Sequence, residues 1–401
     1  MRLLGYADHS RQFVDTLQTH ITRSRGLPLT IEVLILSDDP VISAEAVGLF
    51  FYLTNRHIRR LRIQASAEAI VKLVNVELPL LEELEILHAD DSAITLLMDK
   101  APRLYSLHTH FALPRVRNTV TISLDIYMCF GAVSRICDLF PNLQSLCLRE
   151  PSSKILRESG QSCITSIPRI WTTITSLTFH LRQKRFRTRY IRSIFNSLYL
   201  PNLSSLHVEH PHESPDLNPD LTLPSVLTLL IRKSSCTLER LILRRVPLEV
   251  NGVIQLLDHV PSLLELEIDD INLISSPFLS LFIKHLRSRS PVLVPSLQRL
   301  SMIVTTATFD ELALADMVEH RCASSLKSVN IQFPNRRSSL RLSRRLEDIG
   351  HQGDVTISWY KELLQLNPLD YQSVTKYGPM AFVVGFGVIL LFNLHTFRFR
   401  R

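Results

Sequence analysis

Glycine, aromatic residues and paired cysteines are scarce in this chain, and each shortage excludes a class of protein. Only 11 of the 401 residues are glycine and 7% are aromatic, which argues against a turn-rich all-β protein. The six cysteines contain no Cys-x-x-Cys pair and do not recur at zinc-site spacing. Cysteine-rich caps of extracellular repeat proteins and the apolar run of a signal peptide are also missing. These absences predict a cytosolic or nuclear location.

Catalytic motifs are missing as well. The sequence contains no Gly-x-x-x-x-Gly-Lys-Ser/Thr phosphate loop, no Gly-x-Ser-x-Gly elbow and no His-Glu-x-x-His. Histidines gather at His207, His210 and His212, and a pair lies at His108 and His110, but spacing fixes no further ligand of a zinc site. We therefore expect a non-enzymatic protein with no cofactor and no metal.

A leucine phrase of the form apolar-x-x-apolar-x-apolar recurs along the chain, in which hydrophobic residues make up 45%. Weaker copies begin at residues 31, 58 and 174. This phrase is typical of leucine-rich repeats, where each copy is a short strand and the residues between copies carry a helix. The clear copies begin at Leu81, Leu104, Leu143, Leu203, Leu238, Leu263, Leu297 and Leu326.

Segments between the phrases have apolar residues at helical spacing, as in 92–98, 278–286 and 311–318. The sequence therefore predicts an α/β leucine-rich-repeat solenoid of about ten irregular repeats, with parallel strands on the concave face and helices on the convex face. The longest step between phrases, from 104 to 143, predicts a further strand at 120–124.

The domain prediction has four parts. Residues 1–28 are expected to form an N-terminal lead-in or cap helix, and 29–350 the solenoid. Residues 351–375 are interpreted as a connector, and 376–401 as a hydrophobic C-terminal segment that is a candidate membrane anchor. Four prolines in 209–224 predict a projecting loop.

The hydrophobic segment has competing interpretations. From Met380 to Leu394 its single polar side chain is Asn393. A membrane span needs roughly 20 apolar residues, a length reached by counting from Tyr377 to Phe397. Such an anchor would leave the solenoid in the cytosol, although the terminal arginines across the membrane would oppose the positive-inside rule. The alternatives are a buried terminal strand and a mistranslated exon.

A basic segment at 182–192 has six basic and no acidic residues, within a chain of net charge +7. Phe186 and Tyr190 are interleaved with the charges, a pattern that can bind nucleic acid or an acidic partner. The favoured interpretation is the loop and first turn of a helix, so nucleic acid is the less favoured partner. The basic patch comprises Arg182, Lys184, Arg185, Arg187, Arg189 and Arg192.

Solvent-facing positions within the leucine phrases are the candidate partner-binding residues, because the leucines themselves are expected to form the core. Strand side chains alternate between the two faces of a sheet, which places these positions on the concave face. The candidates are Glu83, Glu85, Gln144, Ser205, His207, Glu239, Glu265, Glu267, Gln298 and Ser301.

Four passages of the sequence, at residues 17–29, 238–268, 309–321 and 325–331, together carry a resemblance to a known family. They resemble the leucine-rich-repeat region of F-box-type proteins from mushroom-forming fungi. The arginine-serine-x-glycine-x-proline-leucine passage at 17–29 is similar to the entry of that family's first strand. Residues 238–268 resemble its paired middle repeats. Residues 309–321 look like its last helix and 325–331 like its closing strand. The resemblance covers roughly residues 10–335.

Membership of that family implies a solenoid that captures a substrate protein, while an F-box docks on the adaptor of a cullin ubiquitin ligase. An F-box normally precedes the passage at 17–29, and this sequence shows none. The expected function is therefore a protein-binding scaffold with an unknown protein ligand, and the ligase adaptor is an expected partner only if an F-box is encoded upstream. A tail-anchored membrane protein and a binder acting through 182–192 are the alternatives.

Overall fold

The computed structural model describes residues 18–19, 22–23, 27–35, 56–64, 76–87, 91–109, 122–127, 136–150, 169–181, 188–210, 223–246, 248–269, 278–288, 292–305, 309–333, 339–352, 356–360, 380–385 and 388–393. The chain divides into two compact units. Unit 1 comprises Met1–Tyr127, Arg135–Leu143 and Leu366–Arg401, and unit 2 comprises Met128–Ser134 and Gln144–Gln365. This division falls within the stretch 29–350 that the sequence predicts as one solenoid.

Unit 1 contains a sheet whose parallel strands lie side by side in chain order. The register pairs Leu61 with Leu84, Leu84 with Leu107, and Leu107 with Leu124, so equivalent positions of successive phrases are neighbours. The strands are β1 (Leu29–Ile35), β2 (Ile58–Gln64), β3 (Glu83–Leu87), β4 (Ser106–Thr109) and β5 (Ser123–Tyr127). Helices α1 (Asp91–Asp99) and α2 (Ile136–Leu139) follow strands β3 and β5.

Unit 2 repeats the same arrangement over a longer stretch. Its main sheet is parallel, in the order β6-β8-β10-β11-β12-β13-β14-β15, and β7 pairs with β9 in a separate sheet. Its strands are β6 (Ser145–Arg149), β7 (Arg169–Ile170), β8 (Ser176–His180), β9 (Leu198–Tyr199), β10 (Ser205–Glu209), β11 (Arg240–Arg244), β12 (Glu265–Asp269), β13 (Arg299–Ile303), β14 (Ser328–Gln332) and β15 (Thr356–Tyr360). Its helices are α3 (Thr188–Ser197), α4 (Leu223–Ser234), α5 (Val250–Asp258), α6 (Phe278–Ser288), α7 (Glu311–Cys322) and α8 (Leu340–Gln352).

A proline turn leads into many of these strands. In Phe140-Pro141-Asn142-Leu143, the N–H of Leu143 donates to the carbonyl of Phe140 at 3.1 Å. Proline suits the second position of such a turn because its ring sets the φ angle that the turn requires. The same bond joins Leu104 to Ala101, Leu203 to Leu200, Leu263 to Val260 and Leu297 to Val294. The turn places the first leucine of each phrase inside and starts the strand two residues later.

The core lies between the helices and one face of each sheet. The two later apolar positions of each phrase are on that face, and Leu206, Leu241 and Leu266 are fully buried. Helix α5 buries Val253, Leu256 and other apolar residues of one stripe. The predicted α/β class with parallel strands is therefore confirmed. A strand lies near the one expected at 120–124, but β5 runs from Ser123 to Tyr127 and overlaps the prediction only at residues 123–124; residue 122 is not part of it, and 120–121 lie outside the described residues.

Strand β15 lies within the stretch that the sequence assigns to a connector. It continues the parallel sheet of unit 2, with Val329 opposite Ile357 and Ile331 opposite Trp359. Isoleucine and tryptophan occupy the positions that leucine or a similar residue holds elsewhere, so the phrase is not recognisable in the sequence. The predicted lead-in helix is described at 18–19 and 22–23, which are helical, and its other residues before 27 lie outside the described ranges.

The hydrophobic C-terminal segment contains two strands, β16 (Met380–Gly385) and β17 (Val388–Asn393). They pair with each other antiparallel, and β17 also pairs antiparallel with β1, with Leu390 opposite Val33. This agrees with the terminal-strand interpretation and differs from the helix that an anchor would need. Among the residues described, no helix has the length and apolar character needed to cross a membrane.

Candidate functional site

The side of each sheet away from the buried leucines carries polar residues, and we call it the polar strand face. Because neighbouring strands are in register, residues at the same position of successive phrases form rows across the face. In unit 2, the row before the middle leucine is Ser145, Ser176, Ser205, Arg240, Glu265, Arg299, Ser328 and Thr356. The next row is Cys147, Thr178, His207, Ile242, Glu267, Ser301, Asn330 and Ser358.

In unit 1, the predicted residues Glu83 and Glu85 are on this face and each binds an arginine of β2. Glu83 lies 2.9 Å from Arg60, and it also accepts a 2.8 Å hydrogen bond from the hydroxyl of Tyr105. That bond raises the pKa of Tyr105, because a neighbouring carboxylate favours the protonated phenol. Glu85 lies 3.2 Å from Arg62. Arginines of β2 are thus paired with carboxylates of β3 in both rows.

In unit 2, Glu265 is placed between two arginines. Its Oε1 lies 3.0 Å from Nε of Arg240 on β11, and its Oε2 lies 2.7 Å from Nη2 of Arg299 on β13. Arg299 also donates from Nε to the same oxygen at 3.1 Å. Register explains the arrangement, since Arg240 and Arg299 are the direct neighbours of Glu265 on its two sides.

Glu267, the next predicted residue along β12, accepts a hydrogen bond from Nε of Arg244. This bond raises the pKa of Arg244 above its ordinary value, because the carboxylate favours the charged guanidinium. Beside it, the buried Asp269 accepts a 2.5 Å hydrogen bond from the backbone N–H of Arg245. Arg245 has a φ of 56°, a left-handed conformation that this bond helps to hold.

Three ionisable side chains meet where β8 and β10 adjoin. Nε2 of His207 lies 3.5 Å from Oε2 of Glu209, and Nδ1 of His180 lies 3.8 Å from the same oxygen. The rings of the two histidines make an edge contact, with centroids 6.2 Å apart. Burial lowers the pKa of His207, and Glu209 opposes that effect only in part. Burial therefore favours the neutral imidazole of His207.

The predicted partner-binding residues of unit 2 divide into two groups. Ser205, His207, Glu265, Glu267 and Ser301 lie on the polar strand face as expected. The other three, Gln144, Glu239 and Gln298, lie one residue before their strands, where their carbonyls accept N–H groups from the next repeat. They therefore border the face instead of forming part of it.

The basic members of the face, Arg240, Arg244 and Arg299, are not among the residues that the sequence predicts, and neither are His180 and Glu209. A signal was available, because Arg240 and Arg299 hold the same phrase position as Glu265, directly before the middle leucine. Aligning the phrases in parallel register would have placed these three residues side by side.

The basic patch falls largely outside the described residues, which exclude Arg182, Lys184, Arg185 and Arg187. Arg189 and Arg192 belong to α3, where Arg192 is exposed. This agrees with the interpretation of the segment as the start of a helix. In the described part of the chain, no group of three His, Cys, Asp or Glu side chains could hold a metal ion.

No protein-family model matches the chain, and no match is found among curated proteins. Function must therefore be argued from the fold and from the polar strand face.

Proposed function

We propose that this chain is a non-catalytic scaffold of leucine-rich repeats whose polar strand face captures a protein partner. The observation that carries the proposal is that alternate residues of each phrase face opposite sides of the sheet. One side of the strands supplies leucines to the core, and the other side of β10 to β14 presents mainly charged and polar residues in rows, with the buried Ile242 as an apolar exception. Neighbouring members of a row lie on adjacent strands, about 4.8 Å apart, so the rows form a wide surface of regularly spaced side chains.

A rigid surface of this kind suits capture of a macromolecule. Its ion pairs hold the long side chains in place before a partner arrives, so less conformational entropy is lost on binding. The resemblance to fungal F-box receptors supports the same role and adds a partner class, a protein destined for ubiquitylation.

Site-specific photo-crosslinking tests the proposal. A photoreactive amino acid is placed on the strand face at Ser205 or Ser301 and, as the matched control, on the helix layer at Arg232 or Arg344. We expect a discrete protein adduct from the strand-face positions in cells that express the chain. Adducts from the helix-layer positions alone would show that the wrong surface has been chosen, and adducts from neither pair would refute capture by unit 2.

A further inference from the structure

Three arginines are the outermost charged groups of the polar strand face in unit 2. The side chains of Arg240, Arg244 and Arg299 are 48%, 41% and 58% exposed. The carboxylates that they bind are recessed, since Glu265 is 20% exposed and Glu267 is 12% exposed. An approaching molecule therefore meets these guanidinium groups first, although carboxylates lie behind them. Arg240 and Arg299 share Glu265, and Glu267, Glu209 and Asp269 all act on the charge of Arg244.

One carboxylate orients two of these arginines. Glu265 binds Arg240 through one oxygen and Arg299 through the other. The guanidinium group has five N–H donors in a fixed fork. These contacts use at most one donor of Arg240 and two of Arg299. Both groups are thus fixed in place and retain donors for a further acceptor.

The spacing of Arg240 and Arg244 along β11 matches an extended chain, and Arg299 lies two strands to the side on β13. Arg240 and Arg244 are four residues apart on one strand, about 13 Å at the rise of a β-strand. A partner segment in extended conformation would repeat its own side chains with the same rise. Carboxylates four residues apart on such a segment would face Arg240 and Arg244 together, and bidentate Arg–carboxylate pairs are among the strong hydrogen bonds of proteins.

We propose that Arg240, Arg244 and Arg299 form the docking site for an extended acidic segment of the partner protein. This inference rests on the proposed function and specifies the chemistry of the partner. A protein segment fits better than a nucleic acid, because Glu265 lies between Arg240 and Arg299 and Glu267 lies beside Arg244. A uniformly charged phosphate backbone would meet these carboxylates as well, whereas a peptide can place its carboxylates only opposite the arginines.

The test measures binding of defined probes to the full chain by fluorescence anisotropy. The probes are a labelled peptide of alternating Glu and Ser, a peptide of alternating Lys and Ser, and a single-stranded oligothymidylate of matched length. The variant Arg240→Gln/Arg299→Gln removes two guanidinium groups from the site. The control Arg341→Gln/Arg344→Gln removes two exposed charges from α8, so the change in net charge is the same.

We expect binding of the Glu-Ser peptide, no binding of the Lys-Ser peptide, and a loss of at least about tenfold in affinity in the strand-face variant, about 1.4 kcal/mol. The control variant is expected to bind like the wild type. The variant Arg240→Lys/Arg299→Lys keeps the charge but loses the fork, and it is expected to bind with intermediate affinity. A circular dichroism spectrum unlike that of the wild type would show that the Gln variant is misfolded. In that case the affinity of the Lys variant alone is used to judge the proposal.

Several outcomes would overturn the inference: no binding of the acidic peptide, equal losses in the strand-face and control variants, or wild-type affinity in the Lys variant. Oligothymidylate binding that is as tight and equally dependent on the arginines would assign the site to nucleic acid instead. These results are independent of the crosslinking experiment. Crosslinks from Ser205 or Ser301 together with arginine-independent peptide binding would refute this inference alone.

Discussion

Replacing the buried Arg321 provides the sharpest test of how the helix layer of unit 2 is held together. Arg321 lies in the last turn of α7 and is only 3% exposed, yet no carboxylate among the described residues binds it. Its Nε donates to the carbonyl of Leu286 at 3.2 Å, and its Nη2 donates to the carbonyl of Leu293. Burial lowers the pKa of Arg321, because the charged form loses its hydration.

Two opposing terms decide the effect of Arg321→Met. The substitution removes the cost of burying a guanidinium while keeping most of the apolar stem, and hydrophobic replacement of buried charge is sometimes stabilising. It also leaves the carbonyls of Leu286 and Leu293 without a donor, at about 1–3 kcal/mol each. Leu286 is in the last turn of α6, where carbonyls have no partner within the helix. We expect the second term to dominate.

The predicted loss is about 2–4 kcal/mol in the free energy of unfolding. It is the cost of leaving two buried carbonyls without a donor, reduced by the cost of burying the guanidinium that the substitution removes. Urea denaturation followed by far-ultraviolet circular dichroism measures it. The control is Arg344→Met on α8, an exposed arginine whose replacement should change stability by less than about 0.5 kcal/mol. Unchanged or increased stability of Arg321→Met would refute the reasoning, since the carbonyl contacts would then be worth less than the buried charge costs.

Other predictions concern the core, the histidine cluster and the helix surface. Leu266→Ala, at a fully buried position, should cost about 2–5 kcal/mol in urea denaturation, and a loss below 1 kcal/mol would contradict its place in the core. Because burial lowers the pKa of His207, the unfolded chain binds that proton more readily, and stability falls as the pH drops below the usual value of 6.5. His207→Gln should therefore lose less stability than the wild type between neutral and mildly acidic pH, and an identical pH dependence would argue against the effect. Asp316→Asn breaks contacts of 2.7 Å to Arg287 and 2.6 Å to Arg345, and should cost about 1 kcal/mol in low salt and less in high salt. A salt-independent loss would exclude an electrostatic origin.

The strands were predictable because their signal is local. Leu241 and Leu266 fall at fixed positions of a short phrase, and their burial follows from the alternation of side chains along a strand. The proline turns before the strands are visible in the sequence for the same reason. Strand β15 was missed because Ile357 and Trp359 replace the expected leucines, so the phrase ends in sequence before the sheet ends in structure.

The C-terminal strands illustrate a second limit. The apolar run from Met380 to Leu394 has no clear period of two or of 3.6, so its composition suits a membrane helix and a strand equally. Its pairing with β1 joins residues more than 350 positions apart, such as Val33 and Leu390. No local pattern in the sequence specifies a contact of that range.

The sequence predicted on which side of the strands the candidate site lies, but not that arginines belong to it. Phrase periodicity located Glu265 and Glu267 on the outward side of β12. The arginine partners required knowledge of the strand register, which pairs Arg240 and Arg299 with Glu265 directly. The contact between Arg244 and Glu267 joins different phrase positions, so it depends on side-chain direction as well as register.

Hydroxyl-radical footprinting of the chain, alone and with its crosslinked partner, tests the central claim most directly. Mass spectrometry would compare oxidation of His180 and His207 on the strand face with oxidation of Leu229 and Leu281, exposed leucines of the helix layer. Protection of the two histidines by the partner, with the leucines still oxidised, is the predicted result. Protection of the leucines with unchanged oxidation of the histidines would contradict the assignment of the polar strand face as the binding surface.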